Sequence, residues 1–111
     1  QQLAKEYLRI IEETGVKTVL SSTWRLYPDL RDDVKKAGID FISCTPDFRH
    51  LAIRGEEIDA WLAWHPDVEK YCIIDDDSDM LPHQPHFKTS IYEGGLTREI
   101  ANRVIQFFAI K

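Results

Sequence analysis

Short β-rich runs alternating with amphipathic helices place the chain in the α/β class, with a mostly parallel, Rossmann-like sheet. Three observations carry this expectation. Strand-like and helical periodicities alternate along nearly the whole chain. The run Tyr71–Ile74 is continuously apolar, which suits a strand buried on both faces, as in a parallel sheet. Two runs, Val16–Leu20 and Tyr71–Ile74, also break abruptly into polar residues: Ser21-Ser22-Thr23 and Asp75-Asp76-Asp77. Parallel strands need right-handed crossovers, and ligands of such sheets bind just beyond the carboxyl ends of the strands. Both polar breaks are expected at that edge.

Each element has its own signal. Gln1 to Thr14 reads as a helix with Leu3, Tyr7, Leu8 and Ile11 on one face, and Gly15 is placed to end it as a left-handed cap. Val16 to Leu20 is the first strand. Pro28 opens a second helix, with Leu30, Val34 and Ala37 inward and Gly38 as its stop. Ile39 to Cys44 is the next strand. Arg54 to Trp64 forms a third helix, with Ile58, Trp61 and Leu62 at i, i+3 and i+4. His86 to Thr89 is a last short strand. Thr97 to Ile110 closes the chain as a helix with Ile100, Ala101, Val104, Phe107 and Phe108 toward the core. No repeat, linker or low-complexity stretch divides residues 1–111, which read as a single domain.

Composition excludes several classes. With 111 residues, 43% hydrophobic and 30% charged, the chain is neither a disordered tail nor a coiled-coil rod. No apolar run approaches the roughly 20 residues that span a bilayer. The net charge of −5 argues against an extended nucleic-acid groove. That charge is also local, because without Asp75, Asp76, Asp77 and Asp79 the acids and bases nearly balance. Cys44 and Cys72 lack metal-ligand spacing, and no signal-peptide pattern opens the chain. A reduced, cytoplasmic setting is therefore expected.

The chemistry concentrates at the strand ends. Adjacent carboxylates repel unless a cation or a donor network offsets the repulsion. Carboxylate oxygens at a strand end suit Mg²⁺, which takes one or two protein carboxylates, waters and substrate phosphate. A hydroxyl at Ser21, beside backbone N–H groups, is a ready donor to a phosphate oxygen. Arg54, opening the third helix, offers a guanidinium that neutralises phosphate bidentately. Hydroxyl, cation and carboxylates make a phosphoryl-transfer constellation lacking a nucleophile. His83-x-x-His86 lies on a proline-containing loop without a third ligand and reads as surface structure. Trp61 and Trp64 read as packing groups, and Lys35-Lys36 as a solvated helix face.

These residues resemble the haloacid dehalogenase (HAD) superfamily, and within it the small phosphatase-like domains of the Swiss Army Knife RNA-repair group. The resemblance rests on Thr18-Val19-Leu20-Ser21-Ser22-Thr23-Trp24-Arg25, on Arg54-Gly55-Glu56-Glu57-Ile58-Asp59-Ala60-Trp61-Leu62, on Tyr71-Cys72-Ile73-Ile74-Asp75-Asp76-Asp77-Ser78-Asp79-Met80, and on Gly95-Leu96-Thr97. It implies a three-layer Rossmann-like fold and a Mg²⁺-dependent phosphohydrolase. Ser21 would be the hydroxyl that binds the transferring phosphoryl group, with Ser22 beside it. Arg54 would be the catalytic cation, with Arg49 a weaker candidate. Asp75 and Asp76 would hold Mg²⁺, with Asp79 assisting, and Trp24 and Arg25 would secure the phosphate loop. The substrate would be a phosphorylated small molecule or nucleic-acid end.

One departure is severe. The family's Asp-x-Asp motif, which supplies nucleophile and general acid/base, has no match before Ser21, and Gln1 to Gly15 contains no Asp. The resemblance therefore implies a central strand on a segment of about 30–40 residues upstream. Without it the strands ending at Ser21 and Asp75 would each keep an unpaired edge, and the chain by itself would be inactive. Two alternatives stand beside this reading. One is a non-catalytic HAD-like binding or regulatory domain. The other is a Toprim-like metal nuclease using Asp75-x-Asp77.

Overall fold

A computed structural model describes residues 2–21, 28–48, 51–90 and 95–110. The elements run α1 (Gln2–Thr14), β1 (Thr18–Leu20), α2 (Pro28–Lys36), β2 (Phe41–Cys44), α3 (Arg54–Ala63), β3 (Ile73–Asp75), β4 (His86–Lys88) and α4 (Arg98–Ala109). The alternating order is the expected one. Strands are shorter than the apolar runs: β2 begins at Phe41 rather than Ile39, and β3 at Ile73 rather than Tyr71, reaching Asp75.

Both strand pairs are parallel. Leu20 of β1 lies opposite Cys44 of β2, and the Thr45 N–H donates to the Leu20 carbonyl at 2.9 Å, carrying the ladder one residue further. Ile73 of β3 lies opposite His86 of β4, and Asp75 opposite Lys88. Here too the ladder continues, with the Thr89 N–H donating to the Asp75 carbonyl at 3.0 Å. The pairs form two separate sheets, β1-β2 and β3-β4. Among the described residues β1 and β3 share no hydrogen bonds.

Helix ends follow local chemistry. Gly15, at φ +72°, donates its N–H to the Ile11 carbonyl at 2.8 Å and ends α1 in the left-handed region that a Cβ disfavours. Gly38, at φ +92°, is likewise left-handed after α2, its N–H donating to the Lys35 carbonyl at 2.9 Å. Thr97 caps α4 by accepting the Ile100 N–H at 3.2 Å, so the helix proper starts at Arg98.

The core joins α1, α4 and the second strand pair. Ile10, Leu96, Ile100, Ala101 and Val104 form its buried cluster, and Tyr7, Cys72, Ile74 and Phe87 pack against it. Ala101 and Val104 have no exposed surface. Burying a side chain the size of Val104 contributes about 1.5–3 kcal/mol. At the rim, Arg9 of α1 donates to the Asn102 side-chain oxygen at 2.7 Å and pairs with Glu6 and Glu13.

Helix α3 is fastened to the first strand pair. The Trp61 indole N–H donates to Ser43 Oγ on β2 at 3.0 Å, and the buried Glu57 carboxylate accepts the Phe48 N–H at 2.8 Å. Trp61 therefore packs as expected. Trp64 does not: at the C-cap of α3, its N–H still bonded to the Ala60 carbonyl, it is 64% exposed.

Candidate active site at the end of β3

Strand β3 delivers the acidic run to the carboxyl edge of its sheet. Asp75 is the last strand residue, and Asp76 and Asp77 follow on the turn. Each offers one carboxylate oxygen within 4.8 Å of the others. At an effective dielectric near 20, two unit charges that close repel by roughly 3–4 kcal/mol. The turn offsets this with donors. The Asp77 N–H donates to Asp75 Oδ1 at 3.0 Å, closing an Asx-type turn.

The main compensation comes from α3. Arg54 Nη1 donates to Asp75 Oδ2 at 2.9 Å and lies 2.8 Å from Asp77 Oδ2. The Arg54 and Asp75 side chains are largely enclosed, at 15% and 14% exposure. Burial works against the charge on Arg54. Asp75, Asp79 and Asp77 together outweigh it and hold the guanidinium more firmly protonated than usual. Asp75 shifts in the same direction, which for a carboxyl favours the neutral form. Burial raises its carboxyl above the ordinary value, the Asp77 N–H and Arg54 pull it back, and Asp76 and Asp77 add to the rise. Tyr7 of α1 feels the same field: burial, then the charges of Asp75 and Asp76, raise its phenol.

Arg54 stands where it does because the start of α3 is docked on the turn after β3. Ile53, the residue before the helix, has no side-chain oxygen to cap it. Asp79 fills that role from a distance. Its carbonyl accepts the Gly55 N–H at 3.0 Å, and its Oδ2 makes a longer 3.4 Å contact with the Arg54 N–H. Asp79 Oδ1 is buried with no hydrogen-bond partner. Gly55 permits the approach, since a Cβ there would lie 2.6 Å from Gln84 Oε1 and 2.7 Å from the Leu81 nitrogen.

A family comparison completes this geometry. Residues 1–101 match the family model described as the HAD domain in Swiss Army Knife RNA repair proteins. The chain belongs to that HAD family. No curated protein and no solved structure matches it. Among the described residues of this HAD domain, no helix is long and apolar enough to cross a membrane.

The structure brings Arg54 together with Asp75, Asp77 and Asp79. Asp76 is exposed beside them. Ser21 follows β1 at the corresponding end of the other strand pair, half-buried, with no hydrogen bond to Arg54 or to the acidic turn. Ser22, Trp24, Arg25 and Arg49 lie outside the described residues. Asp77 belongs to the carboxylate trio as closely as Asp75 and Asp76, although the resemblance does not single it out. His83 and His86 do not face one another's ligands. His83 Nε2 lies 3.1 Å from Asp59 Oδ2, whereas His86 Nε2 lies 3.0 Å from the Asp75 carbonyl.

The HAD family's cation, Mg²⁺, fits these donors. The trio offers hard carboxylate oxygens; Asp79 falls outside it, and its Oδ1 is a buried acceptor without a hydrogen-bond partner. Lys88, opposite Asp75, sends its Nζ to Ser78 Oγ at 2.7 Å and adds a second positive charge at the rim.

Proposed function

We propose that this HAD domain is the phosphate- and metal-handling part of a Mg²⁺-dependent phosphohydrolase that acts through an aspartyl-phosphate. The observation that carries the reading is Arg54, bridging Asp75 and Asp77 at the carboxyl edge of β3. A cation and a carboxylate cluster at one sheet edge make a site for a phosphate and a divalent ion together.

In this reading Arg54 binds the non-bridging phosphate oxygens and stabilises the charge that develops as the phosphoryl group transfers. Ser21 donates its hydroxyl to another of those oxygens from the end of β1. Asp75 and Asp76 would hold Mg²⁺, with Asp79 assisting through its unpartnered oxygen. When bound, the ion neutralises phosphate charge and orients the group for in-line attack.

In this reading the attacking aspartate comes from an Asp-x-Asp strand, a motif with no match before Ser21. Two separate parallel pairs, with β1 and β3 unpaired to each other among the described residues, support a further strand between them. The family description names RNA repair proteins, which favours a phosphorylated RNA end as substrate over a small phosphorylated molecule. The modest net charge suits recognition of an end rather than an extended backbone.

Calorimetric titration of the intact protein with Mg²⁺ tests the reading. One equivalent is expected to bind, and Asp75→Asn is expected to weaken that binding at least tenfold. Equal affinity in wild type and variant would remove the metal from this turn.

A further inference from the structure

We propose that Gln84 is the positioning residue that sets Arg54 over the acidic turn. The proposal rests on the phosphate role given to Arg54 above. Gln84 belongs to no helix or strand and lies between β3 and β4, yet it is only 6% exposed. Its amide is satisfied at both ends. Nε2 donates to the Gly55 carbonyl and to Asp59 Oδ1, each at 2.8 Å, and Oε1 accepts the Leu81 N–H at 2.8 Å.

The position of these bonds matters more than their number. Gly55 directly follows Arg54. Its N–H is held by the Asp79 carbonyl and its own carbonyl by Gln84, so the peptide groups flanking it are gripped from both sides. The missing Cβ at Gly55 lets Gln84 come this close. A buried amide with three directed bonds cannot slide without leaving a donor or acceptor unmet.

Gln84 also joins two otherwise separate attachments. The body of α3 is tied to β2 and its exit by Trp61 and Glu57. The acidic turn belongs to β3. Gln84 and Asp79 connect the start of α3 to the segment that follows β3, and that connection registers Arg54 against Asp75 and Asp77. Loss of Gln84 is therefore expected to spare the fold and to displace the guanidinium, and misplacement of a charged group by about 1 Å costs up to a hundredfold in function.

The test uses Gln84→Met, which keeps volume and removes all three hydrogen bonds, in the intact protein. Side-chain ¹⁵N–¹H spectra follow the Arg54 Nε–H signal, and inorganic phosphate in the presence of Mg²⁺ is the titrant. The expected result is a shifted or broadened Arg54 signal and phosphate binding about tenfold weaker. Mg²⁺ affinity and the Val104 methyl signals should stay as in wild type. In an Arg54→Ala background, Gln84→Met should cause no further loss, because Gln84 acts through Arg54. Should Gln84→Met fail to fold, Gln84→Glu retains the acceptor for Leu81, removes the donors, and is expected to give the same pattern. Wild-type phosphate binding with an unmoved Arg54 signal would overturn the proposal, as would an equal loss in the Arg54→Ala background. If phosphate binds neither wild type nor variant, the phosphohydrolase reading fails, and an Arg54 signal unmoved by the substitution separately overturns the role of Gln84.

Discussion

Arg54 Nη1 lies 2.9 Å from Asp75 Oδ2, with both side chains largely enclosed, and the same nitrogen reaches Asp77. The first turn of one helix thus neutralises the end of one strand. Removing Arg54 leaves carboxylates facing one another, whereas removing Asp75 relieves part of that repulsion and leaves Arg54 paired with Asp77, so the consequences differ in sign.

Arg54→Gln removes the compensation and keeps three carboxylates together. The unfolding free energy is expected to fall by about 1–2 kcal/mol at neutral pH. Added Mg²⁺ should restore more stability to the variant than it adds to wild type. Urea unfolding with and without the ion measures both effects.

Asp75→Asn acts in the opposite direction. The Asp75 carboxyl is raised in the folded protein by burial first, so the folded state holds its proton to higher pH than the unfolded chain. Stability therefore falls as pH rises from the ordinary carboxyl value through the raised one, and the loss persists above it. Asp75→Asn should lack this decline and be more stable than wild type at pH 7, while losing Mg²⁺ affinity. Thermal unfolding from pH 3 to 7 reads the difference.

Gly55→Ala brings a Cβ to 2.6 Å from Gln84 Oε1 and 2.7 Å from the Leu81 backbone nitrogen. Backbone does not yield as a flexible side chain does. The expected cost is about 1–3 kcal/mol, seen as a lower urea midpoint, together with weaker phosphate binding as Arg54 is displaced.

Legibility in the sequence divided along sequence distance. The stops at Gly15 and Gly38 were readable because each bond closes within a few residues, whereas Thr97, which reads as the first residue of the last helix, is its cap. Asp75 at a strand end was readable because an apolar run stops there. Gln84 was not, since its bonds reach Gly55 and Asp59, 29 and 25 residues away, and no local pattern announces such partners. A glycine in the first turn of α3 was the one available signal of a close approach. Trp64 reads as packing from its aromatic character, yet six residues on from Ile58 it lies about 120° round the helix from that buried side chain and is exposed. The capping role of Asp79 was hidden for the same reason as Gln84: its partner helix lies far upstream.

Cys72 supplies an independent check on the core. Burial pushes its thiol up to about 12, so at pH 8 only about one molecule in ten thousand carries the reactive thiolate. Iodoacetamide should leave Cys72 unmodified in the folded protein and label it after denaturation, as peptide mass spectrometry will show.

The most direct measurement of the central claim is phosphate release by the intact protein from an RNA oligonucleotide carrying a terminal phosphate. Multiple turnovers with Mg²⁺, none with a chelator, and a loss of at least a hundredfold in Arg54→Gln are expected. Turnover undiminished by the chelator or by Arg54→Gln, or release absent from every phosphorylated RNA end, would contradict the account.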